Sequence, residues 1–218
     1  MSMVEKFHNE LEKLKADVSK MAHLSITMLL ESVDALKILN VEKADWVYNK
    51  KDSLAKRNIQ IEDESLRLIA LYQPMAKDMR TIACCLKMIT DLNRIGRYGK
   101  DIAKVVKEIY PGPHIKKIIH IPQMNEIVCR MVNDALTAFK TEDISLLKDF
   151  SKRDDDVDEL RYAIFRECLT YMMEDQKNIT ICIHYIMVAR YLERCGDHAC
   201  DMAEQIYYMA TGKRTELK

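Results

Sequence analysis

The sequence predicts an all-α protein built as two tandem antiparallel three-helix bundles, and three observations carry that reading. Glycine and proline are scarce, five and four among 218 residues, and these are the residues that interrupt helices. Pro111, Gly112 and Pro113 stand together near the midpoint, one strong breaker between two long stretches rich in good helix formers. A shift of one hundred positions then lays the second stretch on the first: Leu92, Arg94, Gly96, Asp101 and Ala103 fall on Leu192, Arg194, Gly196, Asp201 and Ala203. Such self-similarity is the mark of an internal repeat.

The first helix follows from apolar and small residues at steps of three and four, from Phe7 through Leu14, Met21 and Met28 to Leu39, the seam of a bundle helix roughly 50 Å long. Asn40 and Val41 offer a break. A second helix is predicted over Glu42 to Leu71, stopped by Pro74, and a third from about Lys77 to Ile109. The repeat predicts the same plan again, so the first three-helix repeat takes residues 1–110 and the second 114–218. A glycine inside a helix costs about 1 kcal/mol against alanine, so Gly96 and Gly196 at equivalent points imply close approach of a neighbouring helix.

Composition narrows the function. Lys plus Arg and Asp plus Glu both total 34, so no net positive field gathers nucleic acid or an anionic membrane. Seven cysteines without a CxxC pair, and a first decade carrying Glu5 and Glu10 where a secretory signal would be apolar, point to a reducing cytoplasm. The apolar runs are too short to span a membrane. No glycine cluster forms a phosphate loop, and the one Glu followed three positions later by His, Glu5 before His8, has no second such pair on another helix as a di-iron oxidase requires. The chain is therefore expected not to be an enzyme.

The sharpest chemistry lies in the last helix. Glu193, Asp197 and Asp201 stand four apart, with Glu204 three further on, so one helix face is a ladder of acids. The preceding helix adds Asp154 and Asp158, also four apart. Like charges so spaced repel by a few tenths of a kcal/mol per pair. Hard oxygen donors from two helices suit Mg²⁺, Mn²⁺, Ca²⁺ or iron; the bland alternative is a solvated face on which Arg190 and Arg194 pair with Glu193 and Asp197. The candidate metal ligands are Asp154, Asp158, Glu193, Asp197 and Asp201. Cys200 projects near Glu193 and would favour zinc or iron if it joined them, but burial is the ordinary state of a free cysteine. His198 projects away from the acidic face, and with His184 it stays outside the predicted site.

Leu192 to Glu204, LERCGDHACDMAE, with the connections QPMAKDMR from Gln73 and YMMED from Tyr171, resembles the PhoU-type regulators of phosphate transport over nearly the whole chain. The resemblance implies paired three-helix bundles carrying multinuclear metal clusters of iron, zinc, manganese or magnesium. It also implies contact with the ATPase subunit of a phosphate ABC transporter and with a membrane sensor histidine kinase. A homodimer, formed through exposed helix seams, is a further expectation. A two-residue adjustment of the shift sets Asp52 on Asp154, but the first repeat departs from the pattern: Lys56 takes the place of the second acid, Asn93 faces the position of Glu193, and Arg97 that of Asp197. Arg97 and Lys56 are then expected to serve as built-in cations for Asp52 and Asp101, leaving one metal cluster per chain. Competing readings are an accessory protein of a secondary phosphate carrier and a metal-dependent phosphohydrolase.

Overall fold

In a computed structural model, which describes residues 2–217, every regular element among the described residues is helical. The first helix, α1 (Met3–Ile38), opens on a capping box: the Ser2 hydroxyl accepts from the Glu5 N–H at 3.2 Å and the Glu5 carboxylate accepts from the Ser2 N–H at 2.7 Å. It closes on Leu39, held left-handed at φ 51° with its N–H returned to Ala35 and Leu36.

The predicted second helix is two helices, α2 (Val41–Asn49) and α3 (Lys51–Tyr72). Asn40 caps α2 by accepting from the Lys43 N–H. The break falls at Lys50, whose N–H tightens onto the Val47 carbonyl three residues back. This re-aims the chain, so that Ala44 and Val47 bury against α4 (Ala76–Ile109) while α3 packs between α1 and α4. After the linker come α5 (His120–Thr141), a 3₁₀ turn Ile144–Leu147, α6 (Phe150–Glu174), a second 3₁₀ turn Gln176–Asn178, and α7 (Ile179–Thr211).

The third helices of the two halves, α4 and α7, pack on each other, and α1 packs on α5, so the apolar core runs through both halves. Gly99 on α4 is where α1 comes nearest: a Cβ there would stand 2.9 Å from the Met28 carbonyl carbon and oxygen, which are backbone and cannot yield. At the matched glycines the neighbour is the second long helix of each repeat, with Leu54 over Gly96 and Asp154 over Gly196.

The repeat has two registers. The α4 and α7 helices align at an offset of 100, with Leu92 and Leu192, Gly96 and Gly196 all buried. The buried faces of α3 and α6 align at 103 instead, pairing Leu54 with Val157, Ile61 with Ile164 and Ser65 with Cys168. Burial decides register because core faces must point inward in both halves. Asp154 and Asp158 therefore correspond to Lys51 and Ala55, which corrects the match of Asp154 to Asp52 that identity alone suggests.

Candidate metal centre

The open face between α6 and α7 brings four of the predicted acids to one region. Glu193 is deeply set in it, its side chain 13% exposed. Burial pushes its carboxyl above the usual range, with nearby Arg190 pulling it back. Arg190 Nη1 lies 2.6 Å from Glu193 Oε1, Arg161 Nε is 3.9 Å from the same oxygen, and Arg194 Nε is 3.9 Å from Oε2. Arg194 also reaches Asp197 at 3.5 Å, and Arg161 reaches Asp158 at 3.7 Å. Asp154 sits over Gly196, its Oδ1 3.0 Å from where a Cβ would be, so that glycine is what admits the carboxylate between the helices.

The sequence counted two arginines against these acids; α6 supplies a third, Arg161, on the same face. Even so the cluster is incompletely satisfied. Glu193 Oε2 and Arg161 Nε are buried and have no hydrogen-bond partner. An orphaned carboxylate oxygen is an open donor for a hard cation, but among the described residues the α6 and α7 acids bring no three ligand atoms within 4.8 Å of one another. Cys200 is fully buried, among the core residues.

Asp201 is found with His198. Its Oδ2 is 4.0 Å from His198 Nδ1, which in turn stands 3.0 Å from Asp91 Oδ1 on α4. Among the described residues, one group of three potential ligand atoms lies within 4.8 Å of one another, and it is Asp91, His198 and Asp201. The sequence placed His198 off the acidic face and outside the site; it turns toward α4 and yet stands beside Asp201 of that face. Helical spacing cannot report a ligand contributed from 107 residues away. The signal that could have found it is the repeat itself, which sets Tyr98 and His198 at equivalent positions.

In the first repeat, Asp101 takes Lys100 as its ion-pair partner at 2.8 Å, which corrects the expected Arg97 pairing. A step of one residue along a helix suffices because the lysine stem curls back along the surface. Asn93, at the place of Glu193, keeps its side-chain oxygen buried without a hydrogen-bond partner.

The PhoU domain family model matches residues 18–106 and again 121–206. The phosphate-specific transport system accessory protein PhoU homolog of Clostridium acetobutylicum is 32% identical over 212 residues, covering 97% of both chains. Its counterpart in Aquifex aeolicus is 38% identical over 208 residues, covering 95% of this chain and 94% of its own. The crystal structure of PhoU from Pseudomonas aeruginosa superposes with a TM-score of 0.90 at 31% identity, over 95% of this chain and all of that one (100%). That of the phosphate transport system regulatory protein PhoU from Streptococcus pneumoniae gives 0.88 at 26% identity, over 96% and 99%. With the helical architecture, the doubled domain and likeness along almost the full length in agreement, this chain belongs to the PhoU family.

Proposed function

We propose that this protein regulates high-affinity phosphate uptake and phosphate signalling by contact, without catalysis. Its partners in this reading are the ATPase subunit of a phosphate ABC transporter and a membrane sensor histidine kinase. The carrying observation is likeness over more than nine-tenths of the chain to proteins named as accessories of phosphate-specific transport. The second repeat adds a surface suited to contact: Phe165, Leu169, Ile183 and Met187 are each at least 40% exposed along the open face of α6 and α7. The first repeat has Glu62, Leu66, Ala83 and Lys87 at the equivalent positions. Packing within a bundle therefore does not require apolar residues at the places of Phe165 and Met187, where the first repeat has Glu62 and Lys87, and a partner or a second copy of the chain would cover them. No helix of the described residues is long and apolar enough to cross a membrane, and the protein acts from the cytoplasmic side.

The metal reading uses Asp154, Asp158, Glu193 and Asp197, with Asp201 at the edge of the set. A divalent or multinuclear ion bound there would supply positive charge able to accept an oxyanion. Glu193 offers its orphaned oxygen, Gly196 makes room for Asp154, and Arg161, Arg190 and Arg194 hold the acids together when no ion does. Loss of bound metal from Asp197→Ala with none from Asp52→Ala supports this centre; the reverse pattern overturns it.

Affinity capture from phosphate-replete and phosphate-starved cells tests the regulatory reading. Recovery of the transporter ATPase subunit in a phosphate-dependent amount is expected, and its absence in both states would remove the reading.

A further inference from the structure

The seam where α4 of the first repeat crosses α7 of the second carries polar chemistry that helix packing does not explain. At the repeat offset of 100, Asp91 and His198 are equivalent to Tyr191 and Tyr98. Both pairs are in contact: Tyr98 and Tyr191 stack with centroids 5.6 Å apart and planes at 25°, while His198 Nδ1 meets Asp91 Oδ1 at 3.0 Å. Tyr98 and His198 also meet, at 6.2 Å between centroids, so the two helices cross about an approximate twofold at that point. One side of the crossing is closed by an aromatic pair. The other side, with the same backbone arrangement, holds a carboxylate and an imidazole.

That pair is not a balanced ion pair. Asp91 is mostly buried, with 13% of its side chain exposed, and Asp201 brings a second carboxylate to the same imidazole nitrogen at 4.0 Å. Among the described residues no lysine or arginine pairs with Asp91 or Asp201; Lys87, on the Asp91 helix, is exposed and acts on it only weakly from a distance. The α6 and α7 acids, by contrast, have three arginines among them.

We propose that Asp91, His198 and Asp201 form a divalent transition-metal site that joins the two repeats, separate from the carboxylate cluster between α6 and α7. One nitrogen and two oxygen donors suit zinc, manganese or ferrous iron better than magnesium or calcium. In a tetrahedral zinc site, donors at about 2.1 Å from the ion lie about 3.4 Å from one another. The observed separations of 3.0 and 4.0 Å bracket that value. Asp201, at 56% exposed, is free to turn inward, and three protein ligands leave a position open to water or to an oxyanion.

The proposal stands without the α6 and α7 cluster, and its test separates the two. Metal-free full-length protein carrying Glu193→Gln and Asp197→Asn is titrated with Zn²⁺, and with Co²⁺ as an optical probe of nitrogen and oxygen ligation. Circular dichroism verifies that each variant is folded. Expected are one ion per chain, a visible Co²⁺ absorption and a raised melting temperature, with affinity falling at least about 100-fold on adding His198→Gln or Asp91→Asn. No binding in the Glu193→Gln, Asp197→Asn protein, or unchanged binding after His198→Gln, overturns the site. Should Glu193 and Asp197 prove irrelevant to metal while His198→Gln abolishes binding, this proposal survives and the other centre fails.

Discussion

The imidazole of His114 hydrogen-bonds the Tyr185 hydroxyl at 2.6 Å through Nδ1 and the Leu36 carbonyl at 2.8 Å through Nε2. A carbonyl only accepts, so Nε2 carries the proton and Nδ1 accepts from tyrosine. One side chain from the linker thereby ties the end of α1 to α7. Tyr185→Phe, which leaves Nδ1 without its donor, is expected to cost about 1–2 kcal/mol in chemical denaturation. An unchanged midpoint would show the linker to be held by packing alone.

Gly99→Ala is the most damaging small substitution in the first repeat. The added methyl meets the Met28 backbone at 2.9 Å, so α1 and α4 must separate. A loss of about 1–3 kcal/mol is expected, read as a lowered melting temperature. Gly96→Ala meets the Leu54 side chain instead, which can rotate, and should be milder.

The plan of two helical repeats was legible because it rests on local spacing and on the few breakers, Pro74 and Pro111 to Pro113. The division at Lys50 was not, since neither glycine nor proline marks it and the cause is the differing demands of α1 and α4 on one stretch of chain. The acids of α6 and α7 were legible as a face, because four-residue steps report a helix surface. Arg161 and Asp91 were missed for a single reason, that their roles arise from neighbouring helices whose relative rotation no single helix encodes.

Arginines and metal compete for the same carboxylates. Replacing Arg190 by Gln removes the cation nearest Glu193, at 2.6 Å. Because a partly exposed ion pair is worth about 0.2–1 kcal/mol, Mn²⁺ should bind about 1.4- to fivefold more tightly in a calorimetric titration. Weaker binding would mean that the guanidinium orders the site and does not block it.

Alkaline pH should weaken the fold. Burial pushes the Cys85 and Cys129 thiols up to about 12, whereas an unfolded thiol ionises near 8.5. Above that lower value the unfolded chain sheds protons the folded chain keeps, so stability falls as pH rises, by about 1.4 kcal/mol per pH unit for each such thiol. Denaturant midpoints at pH 8 and pH 10 measure the slope, and alanine at both positions should reduce it by the share of two thiols whatever its effect at pH 8, the other raised thiols, Cys84, Cys168, Cys182 and Cys195, supplying the rest. For the same reason these thiols should resist alkylation in the native protein.

The crossing of α4 and α7 has a mechanical consequence. Asp91 and Tyr98 flank the middle of a 34-residue helix, and Tyr191 and His198 the middle of a 33-residue one, each about 50 Å long, so the seam is a fulcrum with arms of about 25 Å. A rotation of about 5° there carries the helix ends through about 2 Å, in opposite senses for the two halves. Any rotation at the pivot would thus be amplified into a scissor-like displacement at the outer surfaces.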